Sequence, residues 1–366
     1  MVAGRQLIDF SSNDYLGLAH HPRVIAAMQD CAARCGAGSG ASHLVTGHGS
    51  EHARLEEELA QFTGRSRALL FSTGYMANLA AIATLAARGE HVLLDRLSHA
   101  SLIDGALLSG ARLRRYPHCD TRALERALLE GGNCAVIATD GVFSMDGDRA
   151  PLEELVRLAR AHEAWLLVDD AHGLGVLGAT GRGSLELAGL GLEDVPVLVG
   201  TLGKAFGSFG AFIAGADDLI ELMIQRSRTY RYTTALPQPV AAATRQALQI
   251  AREEPWRRER VLALSGRFRA GATAADLPLA RSSTPIQPVI LGSSRAALLV
   301  QEQLLEAGFW VIAIRSPTVP RGSERVRITL SAEHTEAQVD ALVEHLEGAC
   351  ARARKAVPIL EGEADG

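Results

Sequence analysis

The sequence predicts an α/β fold: a large domain with a mainly parallel sheet, followed by a smaller α+β domain. Three observations carry this. From about residue 50 to 250, short apolar runs alternate with longer amphipathic ones, the rhythm of strands joined by crossover helices. Most of the short runs are continuously apolar, as expected when helices cover both faces of a sheet. After residue 250 the texture changes to a charged helical stretch and then short strand-like runs.

Taken in order, "QLIDFSSNDYLGLAHHP" (6–22) reads as a strand and turn able to pair with either domain. Strands are predicted at 67–75, 91–95, 134–143, 165–172, 195–201 and 210–215. Helical patterns lie between them, among them "SEHARLEEELAQFTG", "MANLAAIATLAARG" and "LEELVRLARAHEA". Beyond 250, "IQPVIL", "WVIAI" and "RVRITLS" read as strands, and "TEAQVDALVEHLEGACARAR" as a last helix before a mobile tail. The expected division is an N-terminal segment 1–45, a large domain 46–250, a small domain 251–350 and a tail 351–366.

Composition narrows the function. The 366 residues are 47% hydrophobic and 22% charged, with a net charge of −5, a globular balance without a basic footprint for nucleic acid or an acidic membrane surface. No stretch reaches the length of a membrane span, and the first residues lack a signal-peptide pattern. Five scattered cysteines suit reduced thiols in the cytoplasm. Cys31 and Cys35 stand one helical turn apart, but no further soft ligands occur at zinc-like spacing, and no metal is expected. His48 and His52 have an i,i+4 spacing without the rest of a zinc motif, which points to capping and surface roles.

Lysine usage singles out one position. Only Lys204 and Lys355 are lysines among 37 basic side chains. An ammonium can lose its proton when buried and attack a carbonyl, which a guanidinium effectively cannot do. Lys204 lies between Gly203 and Gly207 after a strand, where a ligand can approach closely; a surface turn is the plainer alternative. Asp169, in "LLVDDAHGLG", stands at a strand's carboxyl end, where open α/β sheets place ligands. A carboxylate buried there needs a cation. Pyridoxal phosphate (PLP) characteristically pairs its ring nitrogen with an acid and its aldehyde with a lysine.

Other segments can complete such a site. Gly74 and Tyr75 start a helix after a strand and offer N–H groups to a phosphate. His99 comes just past another strand end, where an imidazole can stack on a ring or serve the structure. Ser144 offers a hydroxyl, with Asp146 and Asp148 as turn formers. Arg315 can grip a carboxylate or form a surface ion pair. Against all this, Gly173 to Gly178 match a dinucleotide fingerprint, with Glu193 about 20 residues on, although further glycines stand where a helix should begin.

The segments "FSSNDYLGL", "GSGASHLVTGHGSEHARLEEELA", "SHASLIDG", "GVFSMDGD", "VDDAHGLGVLGATGRGS", "TLGKAFGSFGAF" and "RSPTVP", in this order, resemble the α-oxoamine synthases across nearly the whole chain. The resemblance implies PLP-dependent transferase fold type I, with a seven-stranded sheet. It also implies decarboxylative condensation of an amino acid with an acyl thioester. The biotin-pathway branch, joining L-alanine to pimeloyl-CoA or pimeloyl-ACP, fits best, with another amino acid and acyl pair as the alternative. By resemblance Lys204 is the Schiff-base lysine, Asp169 pairs with the ring nitrogen, His172 contacts the ring oxygen and His99 stacks on the ring. Gly74, Tyr75, Ser144 and Thr201 would line the cofactor. Thr233 or Thr234 would reach a phosphate in a neighbouring subunit of a homodimer with shared sites. Arg315 would hold the amino acid's carboxylate, with Thr318 near the intermediates. The family pattern also implies a longer leader than the nine residues before Phe10, so segment 1–45 reads as shortened.

Overall fold

The computed structural model describes residues 4–356; positions 357–366, most of the expected tail, lie outside it. The last helix runs through Glu336–Ala356, past the expected end of the small domain. Within the described residues the chain forms two compact units, one of residues 16–143 and 149–255, the other of residues 4–15, 144–148 and 256–356.

The first strand, β1 (Ile8–Asp9), belongs to the second of these. The larger unit contains β2 (Arg67–Phe71), β3 (His91–Asp95), β4 (Arg112–Tyr116), β5 (Cys134–Asp140), β6 (Trp165–Asp169), β7 (Val197–Thr201) and β8 (Ala211–Gly215). They form one seven-stranded sheet in the order β2-β8-β7-β6-β5-β3-β4. Neighbours from β7 to β4 run parallel, while β8 is antiparallel to both β7 and β2. This is the fold class expected.

The apolar runs have a simple cause. Successive strand residues face opposite sides, and both sides carry a core. Val136, Ala138, Leu167, Val197 and Val199 pack into one cluster; Ile137, Leu166, Val168 and Leu198 pack into the other. β4 escaped the sequence reading because its residues, Arg-Leu-Arg-Arg-Tyr, are mostly charged. It is an edge strand, paired only with β3, so much of its surface meets solvent.

The smaller unit contains β9 (Ile286–Ile290), β10 (Phe309–Trp310), β11 (Ile312–Ile314) and β12 (Arg325–Thr329). An antiparallel sheet orders them β11-β12-β9, while β10 pairs in parallel with β1. The run read as one strand, "WVIAI", is therefore split at buried Val311, because its two halves bond different partners. The N-terminal strand resolves its ambiguity in favour of the smaller unit. Residues 144–148 join that unit through Arg325, whose Nη1 donates to the Met145 carbonyl at 3.0 Å and pairs with Asp146 at 2.6 Å. Arg327 Nε donates to the Ser144 carbonyl at 2.6 Å. The units are thus drawn differently from the contiguous segments expected, since spatial contact rather than chain order decides membership.

Candidate active site

In the parallel part of the large sheet the strands deliver their last residues to one edge. Asp95, Asp140, Asp169 and Thr201 end β3, β5, β6 and β7, and Asp140 stands opposite Asp169 in register. Lys204 lies three residues beyond β7 in a tight turn whose Gly207 N–H donates to the Lys204 carbonyl at 2.8 Å. Gly207 has φ +59°, and a Cβ there would collide with the backbone of Leu18 and Ala19, so glycine is required. Lys204 Nζ lies 2.9 Å from His172 Nε2.

Asp169 is buried. Its Oδ1 accepts the Ala171 N–H at 3.0 Å, and its Oδ2 accepts Asn78 Nδ2 at 2.6 Å. Asn78 donates its other hydrogen to Ser101 Oγ at 2.8 Å. Ser101 Oγ lies 2.7 Å from His99 Nδ1, which also accepts the Ser101 N–H at 3.3 Å. Donors and acceptors therefore run in one direction: Asn78 gives to Asp169 and to Ser101, and Ser101 gives to His99. His99 is left with its proton on Nε2. Burial is the main cause that holds its pKa below the usual histidine value; Asp169 works against it, and Lys204 adds a smaller downward push. His99 therefore lies within electrostatic reach of both Asp169 and Lys204.

Asp140 holds the His99 backbone, accepting its N–H at 2.9 Å. Burial, then the Asp169 charge, pushes the Asp140 carboxyl well above the usual carboxylate range. Asp170 faces elsewhere. Its oxygens accept Ser184 N–H at 2.7 Å and Ser184 Oγ at 2.6 Å, and burial raises it to about 7. It closes the loop of residues 170–184 and is structural.

Gly74 opens the helix Gly74–Leu85, capped by Thr73 Oγ1, which accepts the Met76 N–H at 3.2 Å. A Cβ on Gly74 would lie 2.7 Å from Thr201 Cγ2. The helix N-terminus and Thr201 are therefore packed together, as an anion cradle requires. Tyr75 is 40% exposed, its hydroxyl bonded to Asp104 and its ring edge-on to His99 with centroids 6.4 Å apart.

The large unit thus gathers Lys204, His172, Asp169, His99, Thr201, Gly74 and Tyr75. Thr233 is half-buried in the turn before Ala235, and Thr234 bridges to Ser42. Ser144, Arg315 and Thr318 belong to the other unit. There Arg315 and Thr318 are exposed in a turn closed by the Thr318 N–H donating to the Arg315 carbonyl at 2.9 Å.

Sequence reading missed Asn78, Ser101 and Asp140. Each left a signal: an asparagine inside the apolar helix "GYMANLAAIATL", a serine two residues past His99, and a strand-terminal aspartate like Asp169. The glycine fingerprint fails. The N–H groups of Gly173 to Leu177 are all spent on backbone carbonyls, and the next helix, Ser184–Leu187, has only four residues. No N–H row is left for a pyrophosphate there.

Chemically, the edge combines a strand-end carboxylate, an amine beside an imidazole and a helix N-terminus. Asn78 Oδ1 is buried with no hydrogen-bond partner among the described residues, an acceptor waiting for a donor. Such a set fits a flat, phosphate-bearing group with a cationic ring nitrogen.

Comparison with known proteins agrees with this chemistry. The model of the aminotransferase class I and II family matches residues 5–346. An 8-amino-7-oxononanoate synthase from Methylococcus capsulatus is 60% identical over 94% of this chain and 90% of its own length. One from Thioalkalivibrio sulfidiphilus is 59% identical over 95% and 89%. Among solved structures, serine palmitoyltransferase from S. paucimobilis with bound PLP–myriocin aldimine superposes with TM-score 0.92 at 32% identity, covering 97% of this chain and 90% of that one. The 8-amino-7-oxononanoate synthase from Francisella tularensis gives 0.83 at 31%, covering 96% and 99%. With its fold, its strand-end chemistry and its relatives all in accord, the chain belongs to the aminotransferase class I and II family.

Proposed function

We propose that this chain is a PLP-dependent acyltransferase that condenses L-alanine with a pimeloyl thioester, releasing carbon dioxide and the thiol carrier to give 8-amino-7-oxononanoate for biotin synthesis. The observation that carries the reading is the pairing of Lys204–His172 with Asp169–Asn78 at one sheet edge, in a chain whose curated relatives carry that activity in their names. The 60% and 59% identity to those relatives, against 32% to serine palmitoyltransferase, favours alanine and pimeloyl over serine and palmitoyl.

When bound, PLP supplies an aldehyde for amines and an electron sink for charge developing at the amino acid Cα. The chain's own groups do the rest. Asp169, fixed by Asn78 and the Ala171 N–H, keeps the ring nitrogen protonated by opposing its charge. Lys204 Nζ would hold the cofactor through its aldehyde, and as a free amine it could take and return the proton at Cα. His172, 2.9 Å from Lys204 Nζ, would contact the ring oxygen. His99, kept neutral by burial, can lie flat on a cationic ring without charge repulsion. Gly74, Tyr75 and Thr201 would receive the phosphate, and Ser144 is the residue assigned to a ring contact. Arg315 takes the amino acid's carboxylate bidentately, with Thr318 beside it.

The working form in this reading is a cytoplasmic homodimer in which Thr233 serves a neighbour's phosphate. Support comes from five cysteines, none of them in a disulfide, and from apolar side chains open to solvent, including Val45 at 72% and Tyr232 at 66%. No helix among the described residues is long and apolar enough to cross a membrane.

The test crosses alanine, glycine and serine with pimeloyl and other acyl thioesters, tracking carbon dioxide and the released thiol. Alanine with pimeloyl thioester should lead by at least about tenfold in kcat/KM; a lead for any other pair overturns the assignment. Sedimentation of the holo protein checks the dimer.

A further inference from the structure

One buried amide links the two sides of the proposed cofactor site. Asn78 is buried in the helix Gly74–Leu85, where the other buried side chains are alanine and isoleucine. Asparagine favours neither a helix interior nor an apolar face, and its Oδ1 has no hydrogen-bond partner among the described residues. A leucine would spare both costs. What the residue contributes is Nδ2, which donates to Asp169 Oδ2 at 2.6 Å and to Ser101 Oγ at 2.8 Å. We propose that Asn78 and Ser101 are positioning residues for the reaction: they hold the His99 imidazole uncharged and in one tautomer, and tie it to the carboxylate that serves the ring nitrogen. This rests on the functional reading above, which puts His99 and Asp169 on the cofactor.

The hydrogen bonds allow one arrangement. Turned over, the amide would set Oδ1 against the Asp169 carboxylate, so the charge of Asp169 fixes which way Asn78 points. Ser101 Oγ then accepts from Asn78 and has its own hydrogen to give. The acceptor within reach is His99 Nδ1 at 2.7 Å, which also takes the Ser101 N–H at 3.3 Å. A proton arriving at Nδ1 would displace both donors. Ser101 is fully buried, and neither donor bonds another acceptor among the described residues. Charging His99 therefore forfeits two hydrogen bonds.

The other groups facing His99 do not hold its ring in this way. Asp140 accepts the backbone N–H at 2.9 Å and so fixes the main chain. Tyr75 stands edge-on, with its hydroxyl bonded to Asp104. The field of Asp169 favours a charged imidazole, and Lys204 opposes one. Routing the contact through two neutral side chains keeps the Asp169 charge for the ring nitrogen and gives His99 a neutral partner. An imidazolium there would repel a ring that carries its own positive charge.

The experiment follows His99 itself. Protein carrying isotopically labelled histidine is prepared without cofactor, and long-range proton–nitrogen correlations report tautomer and charge across pH, with His99→Gln assigning the signals. We expect wild-type His99 to carry its proton on Nε2 and to stay neutral at about pH 6.5, where an unperturbed histidine titrates. Ser101→Ala should move the Nδ1 signal toward that of an unbonded nitrogen and raise proton affinity roughly 5- to 10-fold, the worth of one hydrogen bond. Ser101→Thr, which keeps the hydroxyl, should restore the wild-type pattern, and Asn78→Ala should shift the same signals part of the way. The double variant Asn78→Ala/Ser101→Ala should match Ser101→Ala alone, because Asn78 acts through the hydroxyl. With PLP bound, each single alanine variant should lose roughly 10-fold in kcat at unchanged KM for the amino acid. The wild-type reading needs no variant to fold: a proton on Nδ1, or an ordinary titration, overturns the proposal. So do His99 signals left in place by both alanine variants, or effects that simply add in the double variant. A chain that condenses no amino acid would instead strike the functional reading, since the signals are read without cofactor or substrate.

Discussion

The carboxyl edge of the large sheet and the turn after β11 contribute to the proposed chemistry in opposite ways. At the edge, Asp140 and Asp169 are each the last residue of a buried strand, and each carboxylate accepts a donor from a neighbouring segment. In the turn, Arg315 to Thr318 are exposed, and backbone bonds close the loop. The first region is organised before any ligand arrives, since its groups are oriented by the fold. The second presents a long, solvated side chain whose ordering is left to the ligand.

Substitutions should separate the two regions by size of effect. Lys204→Ala is expected to lower kcat by on the order of 10⁴-fold or more, together with loss of the cofactor's visible band; a coloured, active variant breaks the reading of the edge. Asp169→Asn keeps the shape and removes the charge, and should cost roughly 10²- to 10³-fold in kcat with the protein folded and PLP still bound. Arg315→Ala should reduce kcat/KM for the amino acid by roughly 10- to 100-fold, the worth of a charge-assisted hydrogen bond, through KM and without altering the cofactor spectrum. An equal fall in kcat would mean that the turn is as preorganised as the edge, and would erase the contrast.

A smaller effect distinguishes the two neighbouring aspartates within the edge. Asp170 is raised to about 7 by burial, against an unfolded value near about 3.9. Between those values the folded chain holds more protons than the unfolded one, so stability falls as pH rises from about 4 to about 7. Asp170→Asn removes that contribution, so the decline of Tm across this window should flatten. Glu56, also raised to about 7 by burial, keeps part of the slope. An unchanged slope in the variant would place the Asp170 titration outside the window.

Legibility in the sequence divides along the same line. Strand ends were readable because continuous apolar runs such as Leu166–Val168 can only be buried on both faces, and the residues just beyond them must emerge at the sheet edge. Lys204 stood out through the scarcity of lysine. β4 was invisible because an edge strand does not need an apolar run, and Arg112, Arg114 and Arg115 tolerate solvent. Asn78 was hidden by helix geometry: it sits on a buried helix face, and only the three-dimensional approach of that face to β6 and to the helix Ala100–Ser109 gives its amide two partners. The split of "WVIAI" was illegible because its halves pair with different partners, β1 at the other end of the chain and β12 close behind, not because of the local pattern.

That last pairing has a consequence for how the protein is made. β1 (Ile8–Asp9) bonds β10 (Phe309–Trp310), and the Phe10 carbonyl accepts the Thr329 N–H at 2.8 Å. At translation speeds of about 5–20 residues per second, the opening segment waits on the order of 15–60 s for its mate to leave the ribosome. Phe10 and Tyr15, both fully buried at the end, spend that interval without the late-made strands they join. The beginning of the chain is therefore among the last parts to find its place, and its early exposure marks it as a natural handhold for chaperones.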